Sequence, residues 1–331
     1  MRLHRSAPVE QSPLQPVSAP AGPPGPGELL LSVVACAVCR TDLQLVEGDI
    51  EAHRLPFTPG HQVVGSVEQL GDGVSGWEVG ERAGVGWLAG ACGSCAHCTS
   101  GRENLCQDAI FTGWDRDGGY ASSMTVRADF ALKIPARFTA TAAAPLLCGG
   151  VIGYRSLKLS GIKPGGRLGL YGFGASALLA IQVARYWGCH VYVTTRSKAD
   201  QERARSLGAA WAGGYDETPP EPLDAAVTFA PAGEAVLQAL RSLDRGATVA
   251  INAIHLGQIP AFPYEWLWWE RGIRSVANYT RADARELLDL AARIPIDTSF
   301  RLYELAQANE ALLAHKRGEI EGAAVLRIGQ E

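Results

Sequence analysis

The sequence predicts a two-domain α/β chain, with a β-rich, barrel-like domain first and an open parallel sheet wrapped by helices after it. Three observations predict this. At 331 residues the chain exceeds what one hydrophobic core holds, and it divides into two domains of roughly 150 residues each. Its first third is rich in glycine, proline and short β-type runs. From Cys148 onward, apolar runs alternate with segments of helical period.

In the first part, ELLLSVVAC (28–36), HQVVGSVEQL (61–70) and ASSMTVRADFALKI (121–134) read as strands, separated by turn clusters such as GDGVSGWEVGE. The prolines from Pro13 to Pro26 suit either a disordered tail or a lead-in to the sheet edge, because an apolar strand follows directly. In the second part RLGLYG (167–172) is a buried-strand candidate. ASALLAIQVARYWG (175–188) has helical spacing closed by Gly188. Then HVYVTT reads as strand, DQERARSLGA as helix, LDAAVTFA as strand, EAVLQALRSL as helix and GATVAIN as strand. That alternation implies right-handed βαβ units on a parallel sheet. ELAQANEALLAHKRG reads as one more helix and GAAVLRI as a last strand. No internal repeat or persistent heptad is present.

Hydrophobic residues make up 47% and charged residues 19%, as in an ordinary folded protein. A formal net charge of -4 leaves no basic excess to neutralise phosphates, which argues against nucleic acid as the main partner. No apolar run approaches the roughly 18 residues of a membrane span. LLLSVVACAV, from Leu29, lies too far in to be a signal core. The expected location is cytoplasmic, where thiols are ligands or core residues rather than disulfides.

Four of the eight cysteines crowd into ACGSCAHCTSGRENLC, as Cys92, Cys95, Cys98 and Cys106. Four thiolates in C-x2-C-x2-C-x7-C suit tetrahedral zinc, and the small residues between them let a short loop close around one ion. A ferredoxin-type cluster wants its fourth cysteine after three residues with a proline following, and neither is present. His97 competes as a ligand, but Cys98 fits the repeat better. A closed four-thiolate site has no open coordination position, so it is structural and any catalysis lies elsewhere.

YGFGASA supplies Gly172, Gly174, Ala175 and Ala177 as G-x-G-x-x-A between a strand and a helix. The first glycine permits the tight turn; the second lets backbone approach a pyrophosphate attracted by the helix N-terminus. Where NAD-binding units carry an acidic residue, the second strand here ends in Thr195, Arg196, Ser197 and Lys198. Small hydroxyls with cations suit a 2′-phosphate, which favours NADP(H) over NAD(H); the plainer alternative is a solvated basic turn.

Together these features resemble the zinc-dependent alcohol dehydrogenases of the medium-chain dehydrogenase/reductase superfamily, over essentially the whole chain. CAVCRTD is similar to that family's first catalytic-zinc motif, TPGHQVVGSV to its second, and PLLCGGVIGY to its third. TTRSK and AIHLGQIPAFPYEWLW look most like a bacterial branch near the cinnamyl-alcohol-type enzymes. The resemblance implies a GroES-like catalytic domain over 1–147 and 296–331, and a Rossmann doubly wound domain over 148–295. It implies Cys39, His61 and Cys148 as catalytic zinc ligands, giving two zinc ions per chain, with Cys36 and Cys189 left as buried thiols. It also implies that Asp42 orients His61, that Arg40 contacts the cofactor pyrophosphate, and that Thr41 begins a proton relay. The implied reaction is hydride transfer between NADP(H) and a primary alcohol or aldehyde, in a homodimer or homotetramer.

Two positions depart from the family pattern. Gln44 stands where many members place a histidine at the solvent end of the relay, and an amide cannot titrate. Gln62 replaces the glutamate that usually follows the zinc histidine, which leaves the metal more electrophilic. A weakened relay opens an alternative, an NADPH-dependent reductase of an activated C=C or C=N bond. A catalytically idle NADPH-binding protein is the other, although three good ligands argue against it. Trp87, Trp114, Trp266, Trp268 and Trp269 are candidates for a large apolar substrate pocket, favouring aromatic or long-chain aldehydes; core or subunit packing is the competing use of each. G-x-S-x-G does not occur, so no serine-hydrolase arrangement is suggested.

Overall fold

The computed structural model describes residues 1–19, 22–253 and 256–331. Pro20 and Ala21 in the proline-rich stretch, and Ile254 and His255 in the AIHLGQIPAFPYEWLW tract, lie outside the described residues. The chain forms two compact units. One comprises Met1–Cys148, Thr280–Arg293 and Thr298–Glu331; the other comprises Gly149–Tyr279 and Ile294–Asp297.

The first unit is built on a seven-stranded sheet. Its long central strand, Glu28–Ala37, pairs antiparallel with Val63–Leu70, Ser123–Arg127 and Ala323–Arg327. Register shifts at Leu30/Leu31 and Val33/Ala35 bend that strand, as bulges do where a sheet curls towards a barrel. Leu29, Leu31, Val33, Val63, Val67 and Val85 fill the interior. The stretch read as one strand over 121–134 is two, Ser123–Arg127 and Leu132–Lys133, because Phe130 N–H bonds back to Arg127 and turns the chain. Part of the proline-rich lead-in is ordered: Leu14–Gln15 pairs with Arg2–Leu3, and Leu14 is fully buried. Three helices had no strong sequence cue, Arg40–Glu47, Gly149–Ser160 and Arg281–Arg293. The last of these belongs to the first unit, not to the 148–295 domain that the resemblance implies. Its start is held by Glu103, whose Oε1 accepts the Arg281 N–H at 2.8 Å, and its end by Arg137, which donates to the Ala291 carbonyl at 3.1 Å.

The second unit is a six-stranded, all-parallel sheet. Across it run Trp211–Gly213, His190–Thr194, Arg167–Tyr171, Leu223–Thr228, Leu243–Ile251 and Gly272–Ser275. The order reverses beside Arg167–Tyr171, which is the switch point where doubly wound sheets place their ligands. The strands are almost continuously apolar because helices cover them, as the fully buried Leu168, Leu170, Val191, Val193, Ala225 and Val227 record. No helix among the described residues is long and apolar enough to cross a membrane.

Candidate active site

The helix Arg40–Glu47 positions the first part of the site. Cys39 is its N-cap, and Asp42, three residues on, accepts the Cys39 N–H through Oδ2 at 2.9 Å. Gly48 closes the helix in the left-handed region with φ 87°. Asp42 is fully buried, so its carboxylate must be satisfied from within the protein. It is: Oδ1 accepts from His61 Nδ1 at 2.9 Å and from Gly60 N–H at 3.3 Å. Oδ2 accepts the Tyr120 hydroxyl at 3.2 Å in addition to Cys39 N–H.

His61 follows Gly60, whose φ of +100° only glycine adopts readily. With Nδ1 given to Asp42, Nε2 is the ring nitrogen left for a metal ion. The ligand atoms of Cys39, His61 and Cys148 all lie within 4.8 Å of one another. The electrostatics of this set favour a cation. Burial opposes the imidazolium of His61, yet the Asp42 carboxylate and the Cys39 thiolate outweigh it and raise His61 to about 10. Cys39 falls well below the ordinary thiol range, chiefly through the hydrogen bond from Cys148, which rises correspondingly. Three converging groups that share protons to contain negative charge fit a divalent ion, which displaces those protons on binding.

Cys36 stays apart from this set. It is fully buried, and burial pushes its thiol well above the ordinary range. Thr41 is buried, and Arg40 at the helix start is exposed. Gln44 and Gln62 are only 8% and 5% exposed. Gln44 therefore does not sit at a solvent-facing end; its helix is covered along Thr41–Val46. His315, from the helix Ala308–Arg317, also senses Cys39, Arg40 and Asp42, and burial lowers its imidazole.

The four-cysteine loop forms a second set. Cys92, Cys95, Cys98 and Cys106 are free thiols whose sulfurs lie within 4.8 Å of one another. Backbone N–H groups already point at the sulfurs: Cys95 N–H lies 3.3 Å from Cys92 Sγ, and Cys92 N–H lies 3.5 Å from Cys106 Sγ. Backbone donors, with that of Ser94 foremost, push Cys92 down to about 6. His97 is not part of the set. Preformed thiolate geometry and N–H···S bonds fit a tetrahedral ion.

In the second unit Gly172 takes φ +88°, and a Cβ there would lie 2.8 Å from Ala230 N. Gly174 caps the helix Ala175–Tyr186, and a Cβ on it would meet nothing within 4 Å, which leaves the turn open to a ligand. Ala177, in the first turn of that helix, is fully buried. Thr195 is fixed by its N–H to Gly213 O at 3.0 Å and its carbonyl to Gln201 Nε2 at 2.9 Å. Ser197 caps the helix Lys198–Ser206 by accepting Asp200 N–H at 3.2 Å, while Arg196 is exposed beside it. A helix N-terminus flanked by an exposed cation suits a phosphate group.

The tryptophans separate. Trp87 stands edge-on to His61 with ring centroids 4.8 Å apart. It stacks on Phe111 at 5.1 Å and Trp114 at 5.8 Å, and His53 covers Trp114 at 4.0 Å. Trp266, Trp268 and Trp269 lie in the other unit, where Trp266 stacks on Phe262, and Trp268 and Trp269 are 58% and 45% exposed. Sequence reasoning missed Tyr120, Phe111 and His53. The Gly118-Gly119-Tyr120 sequence was the available cue, since paired glycines mark close backbone approach.

Residues 25–136 match the family model described as the alcohol dehydrogenase GroES-like domain, and residues 175–293 match the one described as zinc-binding dehydrogenase. The chain is 47% identical to a probable alcohol dehydrogenase, AdhA, of Mycobacterium tuberculosis, over 99% of this chain and 96% of that protein. It is 34% identical to an alcohol dehydrogenase of Geobacillus stearothermophilus, over 92% and 93% respectively. Among solved structures, a cobalt- and zinc-bound thermostable alcohol dehydrogenase from Pyrobaculum aerophilum superposes with a TM-score of 0.87 at 27% identity, over 98% of both chains. A cinnamyl alcohol dehydrogenase from Sorghum bicolor shares the fold with a TM-score of 0.89 at 24% identity, over 99% of this chain and 97% of that one.

Proposed function

The chain belongs to the alcohol dehydrogenases of the medium-chain dehydrogenase/reductase superfamily, and from that premise we propose that it is a zinc-dependent enzyme exchanging hydride between NADP(H) and a primary alcohol or aldehyde. The observation that carries this reading is the converging set of Cys39, His61 and Cys148, with Asp42 on the far nitrogen of His61. Two thiolates and an imidazole balance one zinc ion and leave a fourth position for substrate. When bound, zinc supplies Lewis-acid polarisation of the substrate oxygen, and the nicotinamide supplies or accepts hydride.

The chain's own residues do the rest. Asp42 keeps the His61 proton on Nδ1, so that Nε2 stays available as a ligand. Thr41 Oγ1 takes the proton from the alcohol oxygen, or returns it, at the start of the relay. Gln44 cannot titrate, so water carries that proton onward. Gln62, an amide where the family places a carboxylate, adds no negative charge beside the ligands, which favours carbonyl reduction. Gly172, Gly174, Ala175 and Ala177 hold the pyrophosphate, while Thr195, Arg196, Ser197 and Lys198 select the 2′-phosphate. Cys92, Cys95, Cys98 and Cys106 hold a second, structural zinc. The aromatic face of Trp87, Phe111 and Trp114 beside His61 supports aromatic or long-chain substrates. The assembly is a homodimer or homotetramer, which sedimentation resolves.

Initial rates with NADPH and NADH over aliphatic, aromatic and conjugated aldehydes, and the matching alcohols, test the reading. NADPH-linked reduction of aromatic aldehydes at the carbonyl is the expected result. Saturation of a conjugated C=C bond with the carbonyl left intact would replace it with the reductase alternative. Absence of turnover across the panel would leave an NADPH-binding protein.

A further inference from the structure

We propose that Tyr120 is a positioning residue of the catalytic metal site, acting through Asp42 to hold the His61 imidazole in its ligating orientation; this rests on the three-ligand reading above. Asp42 is wholly buried and accepts hydrogen bonds from His61, Gly60, Cys39 and Tyr120. Two of those donors are backbone N–H groups fixed by the chain, and His61 is the group being positioned. Tyr120 is therefore the side chain that anchors the carboxylate from the opposite side. Its hydroxyl meets Oδ2 at 3.2 Å, the oxygen not used by His61. A buried carboxylate that loses a donor becomes more basic and freer to turn, and the imidazole it orients loses its fixed direction.

The backbone around Tyr120 is built for this contact. Gly118 N–H bonds to Thr58 O at 2.7 Å, Gly119 N–H to Gly60 O at 2.9 Å and Tyr120 N–H to Pro59 O at 3.0 Å. These bonds zip the Tyr120 segment onto the loop that delivers His61. The approach is so close that a Cβ on Gly118 would lie 2.0 Å from Gly60 O, so glycine is required there. A Cβ on Gly60 would in turn lie 2.4 Å from Tyr120 Cδ1 and 2.8 Å from Cε1. The ring edge thus lies against the bare backbone of Gly60, one residue before His61, and its hydroxyl reaches Asp42. Burial raises the phenol well above its ordinary range, which keeps it a donor.

The test uses the full chain stripped of metal and titrated with Co2+ against a competing chelator, because cobalt reports each site through its ligand-field bands. Tyr120→Phe keeps the ring and its packing and removes only the hydroxyl. The expected result is roughly tenfold weaker binding at the Cys39–His61–Cys148 site, within the range for lost partners of ligating histidines, with the four-cysteine site unchanged. In the Asp42→Asn background the same substitution should have little further effect, since the two act as one unit. Unchanged affinity, equal losses at both sites, or effects of Tyr120→Phe and Asp42→Asn that simply add would overturn the proposal. Wild-type protein that takes up cobalt only at the four-cysteine loop would instead overturn the three-ligand reading beneath it.

Discussion

Glu103 lies inside the four-cysteine loop, yet it works on a helix 178 positions away in the chain. Its Oε1 accepts the backbone N–H of Arg281 at 2.8 Å and the Arg281 Nε at 3.2 Å. Glu103→Gln preserves shape and both contacts but removes the charge. For the buried N–H contact, the change from a charged to a neutral acceptor is worth about 1 kcal/mol. The guanidinium is one-third exposed and also bonds Asp129, so its share is a few tenths. Losing a negative charge at the first turn of the helix Arg281–Arg293 adds about 0.5 kcal/mol. The sum, about 1.5–2 kcal/mol, corresponds to roughly ten- to thirtyfold faster hydrogen exchange in the first turn of that helix. Burial opposes ionisation of Glu103, but the Arg281 N–H and guanidinium prevail and hold its carboxyl below the ordinary range. A depressed carboxyl contributes stability above its unfolded value of about 4.3 and loses it as pH falls through the folded value. Exchange measured by mass spectrometry at pH 7 should therefore separate the two proteins, and urea unfolding at descending pH should show the gap closing below about pH 4. A change under twofold at pH 7, or a gap that persists in acid, would refute the reasoning.

Two further outcomes follow from the site itself. Gly172→Ala forces a Cβ into φ +88° and against Ala230 N, so NADPH binding followed by its fluorescence should weaken at least tenfold while zinc content stays unchanged. Gln44→His places an imidazole in a buried position, where desolvation keeps it neutral to lower pH. Alcohol oxidation should then speed up below neutral pH, and an unaltered pH–rate profile would count against water as the relay's present terminus.

What the sequence disclosed depended on how local each signal was. The four cysteines span fifteen residues, and the glycine turn spans seven, so spacing alone revealed what each suits. The alternation of strand and helix periods likewise exposed the parallel sheet. Cys39, His61 and Cys148 come from three distant segments, and no periodicity joins them; only resemblance brought them together before their proximity was seen. The helix Gly149–Ser160 opens on two glycines, which hide a helical period behind poor propensity. Tyr120, just ahead of the strand expected from 121, carried no role legible in the sequence, because its meaning lies in the cross-chain zipper to Pro59 and Gly60. Nor could the five tryptophans be sorted by spacing, since contacts between distant segments set Trp87 edge-on to His61 while Trp268 is left exposed.

The first unit's sheet has a consequence for how the protein is made. Its strand Ala323–Arg327 is wedged between Phe300–Glu304 and the central Glu28–Ala37, while the second unit is drawn almost wholly from Gly149–Tyr279. On the ribosome, the nucleotide-binding half emerges as nearly continuous chain and is able to fold during synthesis. The half that carries both cysteine sets must wait, with a gap in its sheet, until Ala323–Arg327 has left the exit tunnel. During that interval its seven thiols and its unpaired strand edge stand exposed, so metal supply and chaperone protection matter most until that strand arrives.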